Sequence, residues 1–115
     1  MAELKKIHSN EDMNEVWERS EQKPAILFKH SATCPVSANA FNELNAFWKT
    51  TQEDVDCSYL VVSESRDLSN QIAEETEVKH ESPQIFLISN KNVIWHTSHS
   101  KISQESINEA LKNVK

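Results

Sequence analysis

Thr33-Cys34-Pro35-Val36-Ser37 follows the apolar run Ala25-Ile26-Leu27-Phe28 and precedes Ala38, Phe41, Leu44 and Trp48, which recur at helical spacing. The four apolar residues read as a short strand buried on both faces. Proline suits the first position of a helix, so a helix is expected to begin at Pro35. Cys34 then falls at the N-cap, where unpaired backbone N–H groups and the helix dipole favour negative charge. The thiolate is the nucleophilic form of cysteine, which makes Cys34 the candidate catalytic residue. A cysteine in this place can also be a small hydrophobe that merely packs. Lys29 and His30 lie close by in sequence and are candidates to assist, although strand alternation could point either one away.

Outward from this stretch the elements follow in order. Ser9 and Asp12 read as an N-cap and an acidic third helical residue, so a helix is expected from Asn10, with Met13, Val16 and Trp17 on its apolar face. After the central helix, Tyr59-Leu60-Val61-Val62 is a second buried strand, expected to start near Asp56. Leu68, Ile72 and Ala73 mark a third, shorter helix. Ile85-Phe86-Leu87-Ile88 and Val93-Ile94-Trp95 flank Asn90-Lys91-Asn92 as an antiparallel hairpin. Ser103 announces a last helix, with Ile102 and Ile107 placed as a hydrophobic staple and Ala110, Leu111 and Val114 continuing its apolar face. The order α-β-α-β-α-β-β-α fits residues 1–115 as one α/β domain, a mixed central sheet with helices on both faces. Two parallel strands joined by a helix and followed by an antiparallel pair is the thioredoxin-like arrangement.

Ser82-Pro83-Gln84 strengthens that assignment. A proline at the start of a strand often carries a cis peptide bond in a special turn. In the thioredoxin fold such a loop faces the cysteine at the helix N-terminus and offers backbone groups to an extended substrate. Pro83 lies 49 residues after Cys34, a separation of the size that fold uses.

Composition narrows the remaining possibilities. A formal net charge of −6 argues against nucleic acid as the main partner, since binding phosphates needs clustered cations. The longest apolar run, Tyr59–Val62, is far short of a membrane span. Met1-Ala2-Glu3-Leu4-Lys5-Lys6 lacks the apolar stretch of a signal peptide, so a cytoplasmic location is expected, where thiols stay reduced. The chain has no glycine, where average usage of about 7% would give roughly eight. Glycine-dependent phosphate loops are therefore excluded, and positive-φ turns are expected to fall mainly to asparagine.

The segment Thr33-Cys34-Pro35-Val36-Ser37, followed by Ala38-Asn39-Ala40, closely resembles the TCP[IV]S-type signature of the monothiol bacilliredoxins, the YtxJ-like proteins of bacteria that use bacillithiol. The resemblance extends over nearly the whole chain, through the Ser-Pro-Gln loop to the closing hairpin and helix. It implies a thiol–disulfide oxidoreductase that removes bacillithiol from S-bacillithiolated proteins. Cys34 would attack the bacillithiol sulfur and hold bacillithiol as a mixed disulfide. A second bacillithiol would regenerate Cys34, and a flavoprotein disulfide reductase would recycle the oxidised bacillithiol. Bacillithiol is thus a co-substrate, and no tightly bound cofactor is expected. The residues suit a one-cysteine cycle. Ser37 stands where a dithiol enzyme has its resolving cysteine, and its hydroxyl can donate a hydrogen bond to a Cys34 thiolate but cannot expel a partner. Phe28 stands where thioredoxins usually place a buried acid.

Cys57 is the alternative. At the start of the second parallel strand it would lie at the end of the sheet away from Cys34, beyond the ~7 Å Cα reach of a disulfide. A resolving role would need rearrangement or a second molecule. His8, His30, His80, His96 and His99 show no metal-ligand spacing, so no metal site is expected. Monothiol glutaredoxins that bind iron–sulfur clusters also have serine after a single cysteine, but with glycine and phenylalanine between, where this chain has Pro35 and Val36. The malate carboxylates of bacillithiol call for cations near Ser82 and Pro83. Lys79 and His80 are the first candidates and Lys29 the next. Trp17, Trp48 and Trp95 sit on apolar faces and read as core. From a different class, the chain could be a thioredoxin-like module that holds partners without turnover.

Overall fold

In the computed structural model, which describes residues 4–114, the run from Ala25 is the centre of the protein. It forms β2 (Ala25–His30), the middle strand of a five-stranded sheet ordered β1-β3-β2-β4-β5. Strand β3 (Asp56–Val61) runs parallel to β2, and β4 (Gln84–Ser89) runs antiparallel to it. Because β2 is covered on both faces, its side chains divide by alternation. Ile26 and Phe28 pack with Ala40, Leu44 and Phe47 of α2 (Pro35–Thr50) and with Ile107 and Leu111 of α4 (Gln104–Lys112). Ala25 and Leu27 pack on the other face with Met13 and Val16 of α1 (Asn10–Arg19) and Leu68 and Ile72 of α3 (Arg66–Thr76).

Local chemistry fixes the ends of these helices. Ser9 caps α1 by accepting from the Asp12 amide, and Ser103 and Ser106 cap α4 reciprocally. Each such cap is worth about 1 kcal/mol. Ile102 and Ile107 are both buried beside the α4 cap, as the staple requires.

The structure departs from the sequence expectations in four places. First, α2 is rotated: Ser37, Ala40, Leu44 and Phe47 are buried, Phe41 and Trp48 flank them, and Ala38 is exposed. The buried position of Ser37 was invisible to a hydrophobic count. Second, Lys5–Lys6 form a short β1 parallel to β3, continued by an Ile7 amide bond to the Tyr59 carbonyl at 2.8 Å. Two exposed lysines carry no strand pattern. Third, only one of the four left-handed residues among the described residues is asparagine: they are Glu77, Asn90, Lys91 and His99. Asn90 and Lys91 form the tight hairpin turn, and tertiary bonds to the Ser20 carbonyl and hydroxyl, 2.8 and 2.9 Å, hold it there. Fourth, a bulge opposite Leu87/Ile88 in β5 (Asn92–Ser98) lets Val93 and Trp95 pack on opposite faces, and leaves Ile94 exposed.

Candidate active site

The C-terminal end of β2 delivers Lys29 and His30 to opposite faces of the sheet, and a short loop then leads to Cys34. Cys34 is the N-cap of α2, in extended conformation (φ −98°, ψ 123°), with Pro35 at the first helical position. The Cys34 amide donates to the Ser31 carbonyl (3.1 Å), and the Cys34 carbonyl accepts from Ala38 (2.9 Å). Its backbone is thus fixed at both sides, while its thiol is partly exposed and makes no capping bond. Proline at the next position has no N–H, so the free donors of the first turn belong to Val36 and Ser37. Thr33, Pro35 and Val36 are exposed around the thiol.

Ser37 corrects the sequence reading. Its hydroxyl does not turn to Cys34. It is wholly buried, accepts a hydrogen bond from the Ser31 amide (2.8 Å), and meets Nδ1 of His30 at 2.8 Å. His30 stacks on Phe41 (4.6 Å between ring centroids), which in turn stacks on Phe28 (5.5 Å). Burial lowers the His30 pKa and favours the neutral ring. Ser37 therefore braces the loop before Cys34 from inside. Phe28, at the site of the thioredoxin acid, is part of this aromatic stack.

Cys57 lies far down the sheet. It pairs across from Ile26, four ladder positions before the His30–Val61 pair, or about 13 Å of strand. It is buried in the α2/α4 core, and burial raises its thiol pKa, with the Asp56 charge adding to the effect. Both cysteines are free.

The Ser82–Pro83 peptide is cis, and Pro83 is buried at the head of β4. The Ser82 hydroxyl is buried without a partner. The turn His99–Lys101 packs against α2, and the His99 amide donates to the Pro83 carbonyl at 3.1 Å. His99 takes φ 54° to do so, a feature with no signal in the sequence beyond the absence of glycine. Lys79 and His80 are exposed just before this loop. Glu81, between them and Ser82, has its carboxyl held low by a hydrogen bond from Ser98 and then by the charges of His99, Lys79 and His96. Lys29 does not join this cationic rim. Its side chain is fully buried on the α1/α3 face, so it cannot reach a ligand at the surface.

Among the described residues, no cluster of histidine, cysteine or carboxylate could hold a metal, and no helix is long and apolar enough to cross a membrane.

A family model for the monothiol bacilliredoxin BrxC matches residues 5–107. The chain belongs to the monothiol bacilliredoxin family. A solved structure described as that of a candidate oxidoreductase with a thioredoxin fold is 40% identical, with TM-score 0.85, covering 94% of this chain and 93% of its own. Thioredoxin from Fasciola hepatica superposes with TM-score 0.76 at 12% identity, covering 97% of this chain and 100% of its own. Mitochondrial thioredoxin 3 from Saccharomyces cerevisiae superposes with TM-score 0.70 at 18% identity, covering 96% and 94%. The bacilliredoxin family and the thioredoxin-like fold together make this chain a thiol–disulfide oxidoreductase.

Proposed function

We propose that this bacilliredoxin removes bacillithiol from proteins through Cys34 alone. One observation carries this reading: the position that would hold a resolving thiol is Ser37, locked inward on His30 and Ser31, while the second cysteine is buried four ladder positions down the sheet. The Cys34 thiolate attacks the bacillithiol sulfur of a protein–bacillithiol disulfide. That S–S bond breaks, the protein thiolate leaves and takes a proton from water, and a Cys34–bacillithiol disulfide forms. A second bacillithiol thiolate attacks the bacillithiol sulfur of that intermediate. Cys34 leaves as thiolate, and oxidised bacillithiol is released for a flavoprotein disulfide reductase.

The α2 N-terminus stabilises negative charge on Cys34 both before attack and as it leaves, through the Val36 and Ser37 amides and the helix dipole. Ser82 and Pro83 form the wall along which substrate lies, with Thr33, Pro35 and Val36 opposite. Lys79 and the outer edge of His80 meet the carboxylates of bacillithiol. Such chemistry belongs to the cytoplasm, where bacillithiol keeps thiols reduced.

Intact mass after incubation of the reduced protein with oxidised bacillithiol tests the cycle, with Cys34→Ser and Cys57→Ser alongside. The expected result is one added bacillithiol that needs Cys34 but not Cys57 and is reversed by added bacillithiol. Loss of two hydrogens needing both cysteines would make Cys57 a resolving thiol. An unmodified protein would leave a binding module without turnover.

A further inference from the structure

Lys29 is a wholly buried lysine with no carboxylate beside it among the described residues. Its Nζ donates to the Ser69 carbonyl of α3 (3.0 Å) and meets Nδ1 of His80 (3.2 Å), and it sits 5.8 Å above the Phe86 ring. The Ser69 hydroxyl also approaches that Nδ1, at 3.3 Å. Lys29 has no acceptor to offer, so Nδ1 must be the unprotonated nitrogen of His80. Directly across the ladder from Lys29 stands Gln84, also buried. Its amide spans the same loop, donating from Nε2 to the Lys79 carbonyl (3.0 Å) and accepting the Glu81 amide at Oε1 (3.3 Å). Residues 79–82 thus lack a ladder of their own and hang from two buried side chains of adjacent strands.

Burying a cation costs several kcal/mol, and an apolar side chain of the same length would fill this place without that cost. What only lysine supplies is a simultaneous grip on α3 and on His80, three residues before Pro83. We propose that Lys29, His80 and Gln84 are positioning residues that hold the Ser82–Pro83 loop in the shape that receives a polypeptide disulfide beside Cys34. This rests on the thiol-exchange reading of Cys34 and deepens it, by assigning substrate fit to a site on the opposite face of the sheet from α2. The charge states agree with the geometry. Burial lowers Lys29 to about 8, so the ammonium persists at neutral pH, and burial together with Lys29 and Arg66 keeps His80 neutral against the weaker opposing pull of Glu81.

The test compares two substrates: a small aromatic disulfide, 5,5′-dithiobis(2-nitrobenzoic acid), and a peptide whose cysteine carries a bacillithiol disulfide. In Lys29→Met the rate constant for the peptide should fall on the order of tenfold, while that for the small disulfide stays within about twofold, and in His80→Leu the peptide rate should fall by a similar factor. His80→Asn, whose side-chain oxygen can accept from Lys29 in place of Nδ1, should restore the peptide rate. Amide exchange of residues 79–82 should quicken in the two impaired variants and not in His80→Asn. An unchanged peptide rate in Lys29→Met, or an equal fall for both disulfides that His80→Asn does not repair, would overturn the inference. A wild-type protein inert to both disulfides would overturn the thiol-exchange reading and this inference with it.

Discussion

Cys34 and Cys57 place the same chemical group in opposite circumstances. Cys34 ends the β2–α2 loop, partly exposed, with free helix amides beneath it. Cys57 is the second residue of β3, enclosed by α2 and α4 side chains, where burial opposes its ionisation. The difference teaches that cysteine chemistry here is decided by the end of the sheet a residue occupies. The C-terminal ends of parallel strands meet helix N-termini and loops, whereas the strand starts meet packed core.

The largest test of this contrast is Cys34→Ser, which should reduce disulfide exchange at least ~100-fold, since the sulfur is the group that bonds. Release of the thiol product from a small disulfide measures it, and residual exchange in that variant carried by Cys57 would break the comparison. In native conditions iodoacetamide should alkylate Cys34 and spare Cys57 until the protein unfolds, as peptide mapping would show. Cys57→Ser should leave exchange within about twofold but cost about 1–2 kcal/mol of stability in a urea titration, because it buries a hydroxyl without a partner.

Lys29→Met sharpens the comparison from the other face. It should raise unfolding stability by about 1–2 kcal/mol at pH 7, because it removes a buried charge. The lysine's penalty in the wild type is complete below about pH 8, and fades as pH rises from there towards 10.5, where the unfolded chain still holds the proton and the folded one does not.

The smallest effect lies in the histidines. His30 and His80 both have lowered folded pKa values, so the unfolded chain binds more protons just below its own value of about 6.5. Their stabilising contribution is complete above that pH and is lost as pH falls through it. The melting temperature should therefore decline between about pH 6.5 and 5, less so in His80→Asn. A flat profile there would show that the His30–Ser37 contact tolerates the imidazolium.

Much of this was legible in the chain itself. Helix caps at Ser9 and Ser103, proline after Cys34, and a proline at the head of β4 are local signals, and local signals fix where elements begin. Of the candidate site, the placement of Cys34 at a helix start and of Pro83 at the head of β4 was legible, because each marks an element boundary. Ser37 and Lys29 were misread for one reason: which way a polar side chain turns depends on partners distant in sequence. Seven residues separate Ser37 from His30, and Lys29 finds Ser69 and His80 forty and fifty-one residues on. Periodicity shows that a strand is buried but not that one of its buried side chains is a lysine.

Sequence by itself determined the order of the elements after β1, the sheet's mixed character and the single cysteine at a helix start, because each follows from spacing, capping and turn chemistry along the chain. Tertiary structure alone decided that Ser37 faces His30, that His99 bonds Pro83, that Cys57 is sealed away, and that Lys29 reaches through the core to the loop before Pro83. Those are hydrogen bonds and burial between elements, and their partners exist only once the sheet has assembled.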